Sequence, residues 1–279
     1  MRLIIVFLFF STLVNAQTEN YYRVIKVSGD IMNVDQGKNL GTGDKIEGSE
    51  KLKFQSANAN ALAINGISEK FSLKSPSSDM ISGSGGLVAV QLSATLVVSR
   101  NQLSTRGLQD DRPVLDLKSY LGKETFTVIG DSLSVLLDKD IYPLNNNKFI
   151  VFYYKIKDEQ VSKKVGFNKQ QLIIEKEKLM RGEENTLEGN EINAVEVYQY
   201  EQSTQLSDKI TGFNLHFVPK ELLMEEFNAI LPVLKGNNMS TGEMQAYLVN
   251  YFNDVYGLTD KNAVYDLVDK YLASLDLSK

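Results

Sequence analysis

Turn-forming residues recur every eight to ten positions between residues 21 and 73, and short β-branched or apolar runs lie between them. Asp35-Gln36-Gly37 is one of these turn signals, and Asn65-Gly66 predicts a two-residue hairpin turn. Alanines at every second position from Ala59 to Ala63 predict a strand whose inner face accepts only small side chains. Because short strands and tight turns account for the whole segment, we expect an all-β unit here.

The glycine, aspartate and apolar positions of this segment follow a particular order. They are Val27-x-Gly29-x-Ile31, Gly37, Leu40-x-x-Gly43-Asp44-x-Ile46, Leu52, the strand from Ala61 to Ile64, Gly66 and Phe71-x-Leu73. In this order, residues 24–74 resemble the FecR-like β module. The resemblance implies a small periplasmic or surface β-domain, found in iron-sensing anti-sigma regulators and in many exported proteins. Those regulators also have a cytoplasmic segment and a spanning helix, which the sequence does not show, so we do not expect this chain alone to signal across a membrane.

The first residues have the layout of a cleavable secretory signal. Arg2 precedes an apolar run over residues 3–14, which is too short to span a bilayer. Val14-x-Ala16 supplies the small residues of a cleavage site, so we expect cleavage between Ala16 and Gln17. The signal peptide is therefore residues 1–16, and the protein is expected in the periplasm, at the cell surface or outside the cell.

Composition excludes several classes of protein. The chain has no cysteine, which rules out a disulfide framework, thiol catalysis, thiolate metal sites and a lipid-carrying N-terminal cysteine. Its 30 basic and 35 acidic residues are interspersed, so no basic face for nucleic acid is expected. No later apolar run approaches the ~20 residues of a spanning helix. We expect no nucleic-acid partner, no membrane insertion after signal removal and no cofactor.

Two polar stretches are candidate domain boundaries. Residues 75–86 are rich in serine and glycine, and residues 101–113 form a second polar stretch. Residues 87–98 alternate as a strand does, so the preceding glycines lack the following helix that a phosphate-binding loop requires. We expect a FecR-like β-rich domain over residues 17–110 and a second domain over residues 111–279.

The second domain is predicted to begin as a largely antiparallel sheet. Strand patterns lie at 125–129, 134–137, 148–157, 160–167, 172–175, 194–201 and 210–218. Residues 181–191 read as an acidic polar loop. Helical patterns follow to the C-terminus, so the whole chain is expected to be α+β and mainly β.

Three helices are predicted at the C-terminal end. The first begins at Pro219, and Pro232 is expected to kink or end it. Ser240 with Glu243 predicts a capping box for the second, and Gly257 a left-handed C-cap. Apolar stripes with helical spacing are Met244, Tyr247, Leu248, Tyr251, Phe252 and Val255, then Val264, Leu267, Val268, Tyr271, Leu272 and Leu275. Since the connection is short, we expect an antiparallel hairpin whose stripes lie in the core.

One string matches a catalytic motif. Gly130-Asp131-Ser132-Leu133 follows a predicted strand and matches the first block of the GDSL hydrolases, in which the serine is the nucleophile. Such a serine needs a histidine base that is oriented by a carboxylate. His216 is the single histidine, but Phe213 stands where that family has aspartate. We therefore expect no catalytic residue, with Ser132 and His216 as the weak alternative.

Other candidate sites rest on residue type alone. His216 by itself cannot supply the three protein ligands of a catalytic zinc, and the glutamates of residues 183–191 lack the spacing of a calcium loop, so no metal site is expected. A carboxylate pair for glycoside cleavage stays open, because separation in space cannot be read from sequence. Candidates for stacking on sugars are Tyr153, Tyr154, Tyr198 and Tyr200, although the chain has no tryptophan.

These observations favour an exported, non-catalytic envelope protein that acts as a binding or scaffold component through its FecR-like β module. The expected partner is another envelope or surface protein, with a glycan as the alternative. A secreted hydrolase, either a GDSL-like serine esterase or a carboxylate-pair glycosidase, is the second hypothesis. The third is an accessory sensor for an envelope regulator.

Overall fold

The computed structural model describes residues 21–74, 88–89 and 112–276. The chain divides into two compact units, residues 1–95 and 96–279. The predicted signal peptide, its cleavage site at Ala16 and Gln17, and the predicted domain boundary near residue 110 lie outside the described residues.

The described elements of the first unit are all strands. They are β1 (Tyr21–Ser28), β2 (Ile31–Asn33), β3 (Lys38–Asn39), β4 (Lys45–Glu47), β5 (Lys51–Phe54), β6 (Asn60–Asn65), β7 (Lys70–Lys74) and β8 (Val88–Ala89). They pair antiparallel in two four-stranded sheets, with the orders β4-β1-β6-β7 and β3-β2-β5-β8. The predicted all-β organisation is confirmed for the described residues of this unit.

Three alanines line the core of this unit near β6. Ala59, Ala61 and Ala63 are buried beside larger residues such as Val24 and Leu52. Gly29 has a φ of +73°, and a Cβ added there would lie 3.2 Å from Ala59. The two segments therefore approach closely at Gly29, where a side chain would crowd Ala59. Ala61 and Ala63 lie in β6, which confirms the predicted strand, and Ala59 directly precedes it.

The hairpin between β6 and β7 differs from the two-residue turn that Asn65-Gly66 predicted. The amide of Asn65 donates to the carbonyl of Glu69, so three residues form the loop, and the positive φ of 66° falls at Ser68. The Asn65 side chain accepts from the amides of Ile67 and Glu69 at 3.1 and 2.9 Å. This side-chain bonding stabilises the longer turn, which explains the difference.

The second unit contains both sheets and helices. Its strands are β9 (Thr125–Ile129), β10 (Ser132–Leu136), β11 (Lys148–Ile156), β12 (Glu159–Lys164), β13 (Gly166–Asn168), β14 (Gln171–Glu175), β15 (Glu191–Glu201), β16 (Leu206–Val218) and β17 (Leu258–Thr259). Its helices are α1 (Leu117–Leu121), α2 (Lys176–Leu179), α3 (Lys220–Gly236), α4 (Thr241–Tyr256) and α5 (Lys261–Asp276). With the first unit, this confirms the predicted α+β, mainly β fold. No helix of the described residues has the length and apolar character to cross a membrane.

A six-stranded sheet with the order β12-β11-β15-β16-β9-β17 forms the centre of this unit, and β10-β14-β13 form a smaller sheet. The larger sheet is antiparallel from β12 to β16, as predicted. Beyond β16 it is parallel, because β9 runs parallel to both β16 and β17. The sequence did not predict these parallel pairings, since they join segments far apart in the chain.

One face of the six-stranded sheet, here called the inner face, lies in the main hydrophobic core. Alternate residues such as Phe152, Val197 and Leu215 point into this core. The smaller sheet contributes Leu172 and Ile174, and α1 contributes Leu117 and Leu121. The opposite, outer face is partly covered by helices, since α4 contacts β9 as well as α3 and α5.

The C-terminal helices follow the predicted pattern at most positions. The amide of Glu243 donates to the hydroxyl of Ser240, and a Glu243 carboxylate oxygen accepts the amide of Ser240 at 2.8 Å, which confirms the capping box. The apolar stripes are largely buried, with Phe252 fully inaccessible and Leu272 6% exposed. The prediction that these stripes belong to the core is confirmed.

Two helix ends differ from expectation. Helix α3 continues through Pro232 to Gly236, so Pro232 does not end it. Proline has no N–H, so the carbonyl of Asn228, four residues earlier, receives no helical hydrogen bond. Both Pro232 and Asn228 are exposed, so water can donate a hydrogen bond to that carbonyl. Gly257 has a φ of +79° but a ψ of −149°, which is extended rather than left-handed helical, because the chain enters β17 directly.

Candidate binding surface

The outer face of the six-stranded sheet has a covered part and an open part. Near β9 and β16 it lies beneath the helices: Thr127 donates from Oγ1 to the carbonyl of Tyr256 at 2.5 Å, and the ring of His216 lies 5.9 Å from that of Tyr256. On β11 and β15, the outer positions instead carry Tyr153, Tyr198 and Tyr200. We call these three tyrosines, with Phe149, the tyrosine face.

Strand register fixes the layout of the tyrosine face. Phe149 lies directly opposite Tyr200, and Tyr153 lies opposite Glu196. The rings of Phe149 and Tyr200 are 5.3 Å apart. At ~3.4 Å per residue, the positions from Phe149 to Tyr153 extend over about 14 Å. Tyr153 is 38% exposed, so its ring is accessible on this face.

A hydrogen-bonded network holds the centre of the tyrosine face. The hydroxyl of Tyr198 donates to Oε2 of Glu196 at 2.8 Å, and the Lys209 ammonium donates to Oε1 of the same carboxylate. The bond from Lys209, followed by that from Tyr198, lowers the pKa of Glu196. The pKa of Tyr198 is raised, mainly because its hydroxyl is bonded to Glu196. The Tyr198 hydroxyl therefore stays protonated as a hydrogen-bond donor, and its bond to Glu196 orients the ring.

A lysine lies at one edge of this surface. Lys164 of β12 places its ammonium 3.9 Å from the ring centroid of Phe149 and 5.4 Å from that of Phe167. A cation over an aromatic face is attracted to the ring quadrupole. Lys164 thus packs on Phe149, which is 8% exposed, and gives this edge a positive charge.

The four tyrosines proposed from the sequence as sugar-stacking groups do not lie together. Tyr153, Tyr198 and Tyr200 share the outer face, but Tyr154 points into the core and is 2% exposed. Its hydroxyl donates to the carbonyl of Leu179, and burial raises its pKa. The expectation for Tyr154 is wrong, because adjacent residues of a strand point to opposite faces.

Ser132 and His216 lie in different settings. Ser132 is exposed at the start of β10, where it pairs with Glu175 of β14, and a strand rather than a helix follows it. Gly130, with a φ of +81°, makes the turn between β9 and β10. His216 lies on β16 opposite Thr127, with Nε2 4.0 Å from Oε1 of Glu191.

The acidic loop has a defined structure that the sequence did not predict. Its backbone amides at Glu183 and Asn185 donate to the carboxylate of Glu159 at 2.6 and 3.0 Å. These bonds, led by that from Glu183, lower the pKa of Glu159. In the described part of the chain, no group of histidine, aspartate and glutamate side chains is arranged to hold a metal ion.

A buried glutamate was also missed. Glu226 of α3 is fully inaccessible and accepts hydrogen bonds from the hydroxyls of Tyr251 and Tyr256 at 2.8 and 2.6 Å. The spacing of the sequence indicates this burial, because Glu226 lies three residues after Leu223 and four before Ile230, on the apolar side of the helix.

Comparison with known protein families and with curated proteins gives no match for this chain. The resemblance of residues 24–74 to the FecR-like module therefore stays a prediction.

Proposed function

We propose that this protein is an exported, non-catalytic component of the cell envelope that binds another envelope or surface protein through the tyrosine face. The observation that carries the proposal is the grouping of Tyr153, Tyr198 and Tyr200 with Phe149 on the open part of one sheet face. Export rests on the predicted signal peptide at residues 1–16.

The chemistry of the tyrosine face suits a protein partner. A tyrosine buries a large apolar ring, offers a hydroxyl for hydrogen bonding and loses little conformational entropy, which is why tyrosine is enriched in protein interfaces. The bond from Tyr198 to Glu196 fixes one ring in advance, which reduces the entropy lost on binding. An open sheet face also suits a broad contact better than a small molecule, which usually binds in a cleft.

The setting of Ser132 supports the non-catalytic part of the proposal. In the GDSL pattern the serine lies on a turn from strand to helix, whereas Ser132 begins a strand that pairs with β14 along its whole length. His216 packs beside Tyr256, under the C-terminal helices.

Site-specific photo-crosslinking in the native envelope tests the proposal. A photoreactive amino acid replaces Tyr153, and the matched control replaces Tyr265 of α5, which is 44% exposed and not part of the tyrosine face. We expect a discrete protein adduct from position 153 that Tyr200→Ala weakens and position 265 does not give. Adducts to polysaccharide alone would favour a glycan ligand instead, and equal labelling from both positions would contradict the proposal.

A further inference from the structure

Strand β12 leaves one edge of the six-stranded sheet open. It is the outermost strand on that side among the described strands. The amide of Val165 donates to the carbonyl of Ile150 at 2.9 Å, so in the antiparallel ladder Val161 and Lys163 also bond to β11. The backbone N–H and C=O groups of Gln160 and Ser162 therefore point away from the sheet. Such groups can pair with a further strand.

The acidic loop turns this open edge into a groove. Arg181 pairs with Thr186, and the loop tip between them is bonded to the carboxylate of Glu159. A Cβ added at Gly182 would meet this carboxylate, so the loop and the Glu159 side chain lie in close contact there. Between the edge and the loop lies a cavity of about 500 Å³, lined by residues 158–163 and 182–185. The groove thus follows most of the length of β12.

The charge of the groove is unbalanced. Asp158, Glu183 and Glu184 line it and are exposed, whereas the carboxylate of Glu159 is held by the loop amides. Lys163 is the single cation among the described lining residues. A ligand in the groove therefore meets an excess of negative charge, which favours lysine or arginine.

We propose that this groove binds, by β-strand addition to β12, an extended segment of a partner protein that carries lysine or arginine side chains. Main-chain bonds to Gln160 and Ser162 supply the pairing, and the carboxylates of Asp158, Glu183 and Glu184 select the basic side chains. The inference goes beyond the proposed function, because it uses other residues than the tyrosine face and specifies a different partner chemistry.

A short synthetic peptide in which lysine and valine alternate is the probe, and fluorescence anisotropy with the full mature chain measures its binding. Ser162→Pro removes the outward-facing N–H while leaving the bonds between β12 and β11 in place. We expect it to weaken binding by about tenfold or more, whereas Ser162→Ala, which keeps the N–H, binds as the unaltered protein does. Glu183→Gln with Glu184→Gln is expected to weaken binding several-fold and to reduce its dependence on salt.

Two further probes make the test independent of how Ser162→Pro folds. A peptide with every backbone amide methylated and a peptide with glutamate in place of lysine should both bind the unaltered chain at least about tenfold more weakly. The proposal is overturned if the lysine peptide does not bind, or if either altered peptide binds equally well. It is also overturned if the chain self-associates and Ser162→Pro abolishes this, because the occupant is then a second copy of β12.

Discussion

The hydroxyl of Tyr256 donates a hydrogen bond of 2.6 Å to the carboxylate of Glu226, a side chain with no solvent exposure. Tyr251 donates a second bond at 2.8 Å. Burial raises the pKa of both tyrosines, and the charge of Glu226 raises it further, so both remain protonated donors. This cluster links α3 to the C-terminal half of α4, next to the β-sheet residue Thr127.

Removal of Glu226 should therefore destabilise the protein. Glu226→Ala leaves two buried hydroxyls without their acceptor, and we expect it to lower the free energy of unfolding by about 2 to 5 kcal/mol. Tyr256→Phe removes one of the donors and should lower it by about 1 to 3 kcal/mol. Urea unfolding measures both values. Glu225→Ala is the matched control, because Glu225 is exposed on the same helix and its loss should change stability by less than about 0.5 kcal/mol.

Two glycines at opposite ends of α4 should respond in opposite directions to alanine. Gly257 has a φ of +79°, and a Cβ there would lie 3.0 Å from the carbonyl oxygen of Thr125, so Gly257→Ala should cost about 1 to 3 kcal/mol. Gly242 lies in the first turn with open space around it, so Gly242→Ala should leave stability unchanged or raise it by about 0.5 kcal/mol. Thermal unfolding distinguishes the two. A milder effect at Gly257 than at Gly242 would contradict this account of the α4 to β17 connection.

The bond between Glu159 and the acidic loop should depend on pH. The pKa of Glu159 is lowered in the folded protein, so its stabilising contribution is present above the ordinary pKa of 4.5 and is lost as the pH falls through the lowered value. We expect the amides of Glu183 and Asn185 to lose protection from hydrogen exchange as the pH falls below 4.5 and passes through the lowered pKa of Glu159. Glu159→Gln should remove this step, and Glu188→Gln, a change on the same loop, should keep it.

Ser132 is predicted not to act as a nucleophile. It begins a strand, and the next residues continue the pairing with β14, so no helix follows to form a nucleophile elbow. A fluorophosphonate probe should not label the purified protein, and Ser132→Ala should not change its background ester hydrolysis. Labelling at Ser132 that His216→Ala abolishes would establish a hydrolase and end the non-catalytic proposal.

Patterns along a single strand or helix were readable from the sequence. The strand at Thr125–Ile129 was predicted with its observed bounds, and the capping box of Ser240 and Glu243 was predicted correctly, because both depend on neighbouring residues. The continuous apolar run that ends in Tyr153 and Tyr154 did not show which residue faces the core. Only the register against β15 places Tyr153 outside and Tyr154 inside.

Contacts between distant segments were not readable. The bond from the loop to Glu159 joins residues 24 to 26 positions apart, and nothing in the local sequence marks it. The tyrosine face could be proposed in part, since Tyr198 and Tyr200 share one strand face by alternation. Its link to Tyr153 depends on the pairing of β11 with β15, which the sequence did not specify.

The position of β9 has a consequence for the order in which the second unit is completed. β9 comes early in this unit, yet both of its neighbours, β16 and β17, come later in the chain. A chain emerging from the ribosome therefore presents residues 125–129 with both backbone edges unpaired until β16 has followed, and with one edge unpaired until residue 259 has followed. Chains that end before β17 therefore leave one edge of β9 unpaired, and an unpaired strand edge is a site at which chains aggregate.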